Sequence, residues 1–270
     1  MTWFVWQRQN RFRRSAAGTG IFRKPVTMRS SLCCRAPGLC LPTQQKAMVN
    51  PASPVSSIDV SIEFEGLSLA GFLAVPEHAK GLVVFAHGSG SSRFSRRNRF
   101  VAEIFNKTGI ATLLFDLLTP EEEDIDQSTR EFRFDIDLLT DRLIGVIDWV
   151  SKETATAALP IGLFGASTGA AAALGAAAAR ADNVAAVVSR GGRPDLALPH
   201  LAKVKAPTLL IVGGEDTVVI ELNQQSAAKL PVEHRLEIVP GATHLFEEAG
   251  KLEQVAKLAC DWFLHYFSGL

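Results

Sequence analysis

The sequence predicts an α/β fold: a mostly parallel central sheet with helices on both faces, an antiparallel hairpin at its N-terminal end, and no separate cap domain. Three observations carry this. Short apolar runs of strand length alternate with segments of helical periodicity from about Gly81 onward. A segment of strict period-two alternation precedes them. One apolar run, Leu159 to Phe164, leads straight into Gly165-Ala166-Ser167-Thr168-Gly169 and then into an alanine-rich stretch of high helix propensity.

Taken in order, the chain opens on a segment unlike the rest. Whole-chain charge is balanced, with 28 basic and 28 acidic residues, yet nine basic residues and no acid fall between Met1 and Ala47, which leaves a net charge of −9 beyond it. That balance argues against nucleic-acid binding by the main domain. Residues 1–50 are read as a disordered basic extension and 51–270 as one domain. No apolar core of about 7–15 residues marks a secretory signal. An overcalled start, with Met48 as the natural beginning, an organelle transit peptide and a functional basic arm remain the alternatives. Cys33, Cys34 and Cys40 lie in this segment and only Cys260 beyond it, so no disulfide framework is expected and the location read is cytoplasmic, or an organelle if the segment is a transit peptide. No run approaches the ~20 apolar residues of a membrane span.

Ser57 to Phe64 alternates Ile58, Val60, Ile62 and Phe64 with Asp59, Ser61 and Glu63, a half-buried strand; Gly66 turns it into a second, Leu67 to Val75. Gly81 to Ala86 is continuously apolar, as a strand covered on both faces should be. Further strands are predicted at Ala111 to Phe115, Ile161 to Phe164, Val184 to Val188, Thr208 to Val212 and Leu236 to Val239. Helices are predicted at Arg99 to Thr108, Phe134 to Trp149, Ile220 to Lys229 and Leu252 to Phe267. The segment Leu117 to Glu131 is the one insertion of note.

Strand, Gly-x-Ser-x-Gly, helix is a nucleophile elbow: a sharp turn lifts Ser167 clear of the sheet, and backbone passes so close on either side that Gly165 and Gly169 can carry no side chain. A serine hydroxyl is a weak nucleophile near neutral pH and needs a base, and that base an orienting acid. Asp216, in Gly213-Gly214-Glu215-Asp216 after a strand, is the candidate acid, with a helix N-cap as its structural alternative. His244, after the last strand, is the candidate base. The oxyanion hole needs two backbone N–H groups. Thr168 at the helix start and Ser89 in His87-Gly88-Ser89-Gly90 are the candidates, Gly90 standing second to Ser89, and His87 is read as a structural support for that loop.

His87-Gly88, Gly165-x-Ser167-x-Gly169, Asp216 and His244, in this order on a βα scaffold, resemble the α/β-hydrolase superfamily, and the compact, capless chain its dienelactone hydrolase-like branch. The resemblance spans about Val60 to Phe267. It implies a cofactor-independent, metal-free hydrolase acting on a small-molecule ester, thioester or lactone. Dienelactone hydrolase itself uses a cysteine nucleophile, and Ser167 stands here, so the dienelactone substrate does not carry over. An acyltransferase using the same residues and a non-catalytic binding protein are the competing readings. Neither a G-x-x-x-x-G-K-[ST] nor an H-E-x-x-H motif is present. Arg93, Arg190 and Arg193 are candidate contacts to an anionic substrate. The alternative pairs these and the neighbouring Arg96 and Arg97 with the acidic run Glu121 to Asp124. Oligomeric state is left open.

Overall fold

The structure, a computed structural model, describes residues 55–269. The extension read at residues 1–50 lies outside them. Eight strands form one sheet: β1 (Ile58–Phe64), β2 (Leu67–Ala74), β3 (Leu82–Ala86), β4 (Ala111–Phe115), β5 (Ile161–Ala166), β6 (Val184–Arg190), β7 (Thr208–Gly213) and β8 (His234–Val239). Their order across the sheet is β1-β2-β4-β3-β5-β6-β7-β8. The β1–β2 and β2–β4 pairs are antiparallel and every other pair is parallel. The fold expected from the sequence is the fold observed.

Among the described residues seven α-helices accompany them: α1 (Arg96–Lys107), α2 (Pro120–Thr129), α3 (Ile136–Val150), α4 (Thr168–Ala179), α5 (Leu198–Leu201), α6 (Thr217–Ala227) and, after the last strand, α7 (Lys251–Phe267). Side chains alternate along each central strand, so the sheet feeds two cores. Val84, Leu163, Val187 and Leu210 pack in one with residues of α3 and α4. Val83, Phe85, Phe164, Val188 and Ile211 pack in the other with residues of α1 and α7. Central strands buried on both faces explain why they read as unbroken apolar runs. Helix α4 is apolar all round and buried from Thr168 to Ala177, as a helix covered on every side must be.

Element ends shift by one to three residues from the sequence reading, the helix expected at Ile220 to Lys229 running Thr217–Ala227 for one, and three differences have a plain cause. Helix α1 begins three residues early, because the Ser95 side chain accepts a bond from the Asn98 N–H and caps it. Strand β8 begins at His234, an edge strand whose exposed Arg235 and half-buried Glu237 obscure the alternation. The inserted segment holds a helix, α2, opened by a capping box between Thr119 and Glu122 with Pro120 at its first position.

The chain runs from β3 outward to β4, then crosses back over β3 to β5. That reversal puts a topological switch point between β3 and β5, where the loops leaving the carboxyl ends splay apart and ligands bind in open α/β sheets. The loop after β3 and the elbow after β5 flank it.

Candidate active site

Ser167 sits between β5 and α4 with φ 52° and ψ −119°. A non-glycine residue there stores about 1–3 kcal/mol of strain and persists only where the surroundings fix it. Three backbone bonds do so: Ser167 N–H donates to the Arg190 carbonyl at 3.3 Å, and the Ser167 carbonyl accepts from Ala170 N–H and Arg193 N–H, each at 3.1 Å. The flanking glycines are needed for room, since neither has a positive φ. A Cβ on Gly165 would lie 2.4 Å from Ala170 Cα, and one on Gly169 2.3 Å from the Ala86 carbonyl oxygen.

Strand β7 ends at Gly213, where a Cβ would come within 2.4 Å of the Ala242 carbonyl oxygen, so the loops after β7 and β8 run in contact. Asp216 stands at the N-cap position of α6, yet its side chain makes no capping bond. It is buried, and its Oδ2 lies 2.6 Å from His244 Nδ1. A carboxylate oxygen only accepts, so Nδ1 carries the proton in this contact. Gly191 passes close to His244. Its φ is +51°, and a Cβ there would fall 3.0 Å from the His244 carbonyl oxygen and 3.6 Å from His244 Cε1. Gly191 follows Arg190, whose carbonyl holds the Ser167 amide, so one turn after β6 touches both the serine and the histidine backbone.

The loop after β3 lies against the elbow: a Cβ on Gly88 would sit 3.1 Å from both the Ala166 carbonyl oxygen and Ser167 Cβ. His87 fixes it from within the core. The Leu117 N–H donates to His87 Nε2 at 3.1 Å, so Nδ1 carries the proton and donates to the Gly88 carbonyl at 3.0 Å. Burial lowers the His87 pKa from 6.5, opposed by the Gly88 bond and by Asp116, which keeps the ring neutral and this tautomer in place. His87 is therefore a structural support, as the sequence suggested. Thr168 is the first residue of α4, and the first N–H groups of a helix have no partner within it. A shallow, partly open cleft is lined by the loop 87–91, Thr168, Leu117, Leu118, Leu139, Glu123 and Arg133.

The three arginines expected near a substrate are placed differently from one another. Arg93 bonds Asp116 through both its backbone N–H and its guanidinium, and lies 4.4 Å over the Phe94 ring. Arg193 grips Asp195 with two bonds of 2.8 and 2.7 Å, which raises its pKa. Arg190 is buried at the end of β6. Its guanidinium donates to Asn98 Oδ1 at 3.2 Å, and burial with Arg97 nearby pushes its pKa down to about 10. None of the three is bonded to the acidic run Glu121 to Asp124, which corrects the pairing expected from sequence. Arg97 binds Glu247 instead. Glu122 turns back on Thr119 and is engaged by Arg142, because the capping box directs its carboxylate toward its own helix start and α3.

Glu123 and Arg133 were not singled out from sequence as facing the site. Arg133 is clamped by Asp126, which is fully buried. Nε donates to the Asp126 carboxylate, NH2 to the Asp126 carbonyl at 3.0 Å, and the Asp126 carboxylate also accepts from the Arg133 N–H at 3.0 Å. The remaining nitrogen, NH1, lies 3.1 Å from where a Gly90 Cβ would be. The Glu123 pKa is raised, chiefly by burial and by Asp126 and Asp116, against the pull of Arg133. Among the described residues no group of three or more His, Cys, Asp or Glu is disposed to hold a metal ion, and no helix is long and apolar enough to cross a membrane.

Residues 69–268 match the model of the dienelactone hydrolase family. A crystal structure of dienelactone hydrolase from Anabaena variabilis is 55% identical, superposes with a TM-score of 0.78, and is matched over 79% of this chain and 99% of that one. Est1E from Butyrivibrio proteoclasticus shares the fold at 18% identity and a TM-score of 0.66, over 78% and 99% of the two chains. A Mycobacterium tuberculosis (strain ATCC 25618 / H37Rv) protein, provisionally named a phosphoribosyl transferase, is 60% identical over 216 residues, covering 80% of this chain. This chain spans 48% of that protein's length.

Proposed function

The chain belongs to the dienelactone hydrolase family, and from that premise we propose that it is a serine hydrolase of a carboxylic ester, thioester or lactone, with Ser167, His244 and Asp216 as its triad. The observation that carries the reading is the 2.6 Å contact between a buried, non-capping Asp216 and His244 Nδ1, beside the turn whose backbone holds Ser167. His244 Nε2 takes the proton as Ser167 Oγ attacks the carbonyl carbon. The oxyanion is met by the N–H groups of Thr168 and Ser89. Collapse expels the alcohol, thiol or ring oxygen, which leaves with the proton from His244. Water, deprotonated by the same Nε2, then attacks the acyl-enzyme and frees Ser167. Asp216 stays ionised and stabilises the imidazolium.

Of the arginines considered for substrate contact, Arg93 and Arg193 have their charges balanced by Asp116 and Asp195. That favours support of the loops after β3 and β6 as their role. The phosphoribosyl transferase name is that of a protein of which this chain spans under half; the family match and the Asp216–His244 contact support hydrolysis instead. The test is labelling with a fluorophosphonate probe, comparing the wild type with Ser167→Ala and His244→Ala. Labelling of the wild type alone is expected. A folded wild type that takes no label, and an accompanying failure to cleave p-nitrophenyl esters, would sink the proposal.

A further inference from the structure

One buried charge beside the elbow has no part in the mechanism above. Arg93, Arg133, Arg142 and Arg193 each meet a carboxylate. Arg190 does not. It is 6% exposed, makes no ion pair among the described residues, and donates one bond of 3.2 Å to the neutral Oδ1 of Asn98. Its Nε is buried without a hydrogen-bond partner. Burial, with Arg97 nearby, makes the charge expensive enough to bring its pKa down to about 10. A cation kept on these terms calls for an explanation other than stability.

The explanation lies in what Arg190 joins. Its backbone carbonyl accepts from the Ser167 N–H at 3.3 Å, and it stands opposite Ala166 in the register of β5 and β6. Its side chain reaches Asn98 in the first turn of α1. From Asn98 back to Ser89 the chain is stiff. The Ser95 side chain caps α1 by accepting from the Asn98 N–H. Two turns precede it, closed by Ser95 N–H donating to the Ser92 carbonyl at 3.0 Å and Ser91 N–H to the Gly88 carbonyl at 3.1 Å. Arg190 therefore spans the two segments that carry the oxyanion donors, Thr168 on the elbow and Ser89 on the loop after β3. Such donors work only when both are aimed at one point, each about 2.7–3.1 Å from it.

Resting on the hydrolase reading of Ser167, we propose that Arg190 is a positioning residue of the oxyanion hole. Through Asn98 it holds the start of α1, and with it the Ser89 N–H, in fixed relation to the elbow. It acts through these two partners and not on the substrate itself.

The experiment compares p-nitrophenyl acetate with its thionoester, in which sulfur replaces the carbonyl oxygen. The proteins are the wild type, Arg190→Met, Asn98→Ala, Asn98→Asp and the Arg190→Met/Asn98→Ala double variant, with active sites counted by fluorophosphonate titration. Sulfur is a larger and weaker acceptor than oxygen, so the oxygen-to-sulfur ratio of kcat/KM reports how well the hole is aimed. Loss of folded enzyme scales both rates alike and leaves the ratio unmoved. Losing an oxyanion donor outright costs about 10²–10³ in rate, so the wild type should favour oxygen by about 10² and a loosened donor should shrink that preference about tenfold. This fall is expected in Arg190→Met and in Asn98→Ala, with no further fall in the double variant, since the two residues act as one brace. Asn98→Asp still accepts from Arg190 and should keep the ratio. The inference is overturned if the wild type shows no preference for oxygen, if Asn98→Ala or a folded Arg190→Met keeps the wild-type ratio, if Asn98→Asp loses it as Asn98→Ala does, or if the two losses add. Should Arg190→Met fail to fold, the two Asn98 variants decide the matter between them. If the wild type takes no fluorophosphonate and cleaves no p-nitrophenyl ester, the hydrolase reading itself falls and this inference with it.

Discussion

At the elbow the chain is held by backbone crowding; in the segment between β4 and α3 it is held by buried charge. Ser167 keeps its positive φ because three backbone bonds and two glycines without space for a Cβ leave it no alternative. Arg133 keeps its place because a carboxylate with no exposure to solvent grips it, and the same residue's carbonyl takes a second nitrogen. Backbone crowding is indifferent to pH and salt and tolerates almost no substitution, which suits atoms that must meet a transition state. A charge clamp depends on single side chains and can be loosened by changing one of them.

The largest expected effect tests the elbow side as a catalytic unit. Ser167→Ala, His244→Ala and Asp216→Asn should each lower kcat on an ester that the wild type cleaves by about 10⁴–10⁶. The Ser167→Ala/His244→Ala double variant should be no slower than the worse single one, since residues that act together are not additive. Additive losses in stopped-flow or steady-state kinetics would break the view that the three work as one.

Next is the crowding itself. Gly169→Ala places a Cβ where the Ala86 and His87 carbonyl oxygens stand, at 2.3 and 2.4 Å, and backbone cannot swing aside as a side chain can. Overpacking usually costs about 1–3 kcal/mol, and the upper end or beyond is expected here, read as a fall in the urea midpoint. A stable Gly169→Ala protein with normal probe labelling would show that the elbow needs less room than its geometry implies.

These two regions were unequally legible in the sequence. Gly165, Ser167 and Gly169 announce themselves because steric demand maps onto residue type at fixed spacing. Asp216 and His244 follow from chain order, and the sheet from apolar runs that only doubly covered strands produce. The segment between β4 and α3 left fainter marks. Glu121 to Asp124 has the composition of a solvated run, and nothing in a string of acids tells which one turns inward. Thr119-x-x-Glu122 with Pro120 was a readable helix start and would have placed α2. The Asp126–Arg133 clamp spans a turn of irregular structure, so no periodicity marks it. Arg93 looked available because its partner is 23 residues away in another loop, and Arg193 because its partner, two residues on, lies in the short 3-10 turn Pro194–Ala197 that no periodicity announces.

The charge side should yield less than the crowded side when broken. Asp126→Asn strips the partner from Arg133 at a position without solvent exposure, and breaking such a pair costs about 3 kcal/mol at the lower end of the usual range, since Arg133 itself still touches water. Thermal or urea unfolding would report that loss. The sharper readout is that fluorophosphonate labelling of Ser167 should persist. Loss of labelling in a folded Asp126→Asn protein would mean that the two regions are coupled and the contrast between them is false.

The smallest effect comes from His87, a titratable residue that supports the crowded side. Buried and neutral, it accepts from Leu117 and donates to Gly88, and its folded pKa lies below 6.5. Above pH 6.5 the ring is neutral in both folded and unfolded chains, and its contribution to stability is complete. As the pH falls below that value the unfolded chain binds a proton that the folded chain refuses, so unfolding becomes more favourable, and stability must drop toward the lower folded pKa. The substitution His87→Gln removes that titration while retaining an acceptor for the Leu117 N–H. The wild type should therefore lose Tm between about pH 6.5 and 5.5 with a steeper slope than His87→Gln. Labelling of Ser167 should hold through that interval and weaken only at lower pH, where the folded ring itself takes a proton on Nε2 and its acceptance from Leu117 ends. Parallel slopes for the two proteins would mean that the oxyanion loop is held without the His87 ring, and the division between the two regions would then be complete.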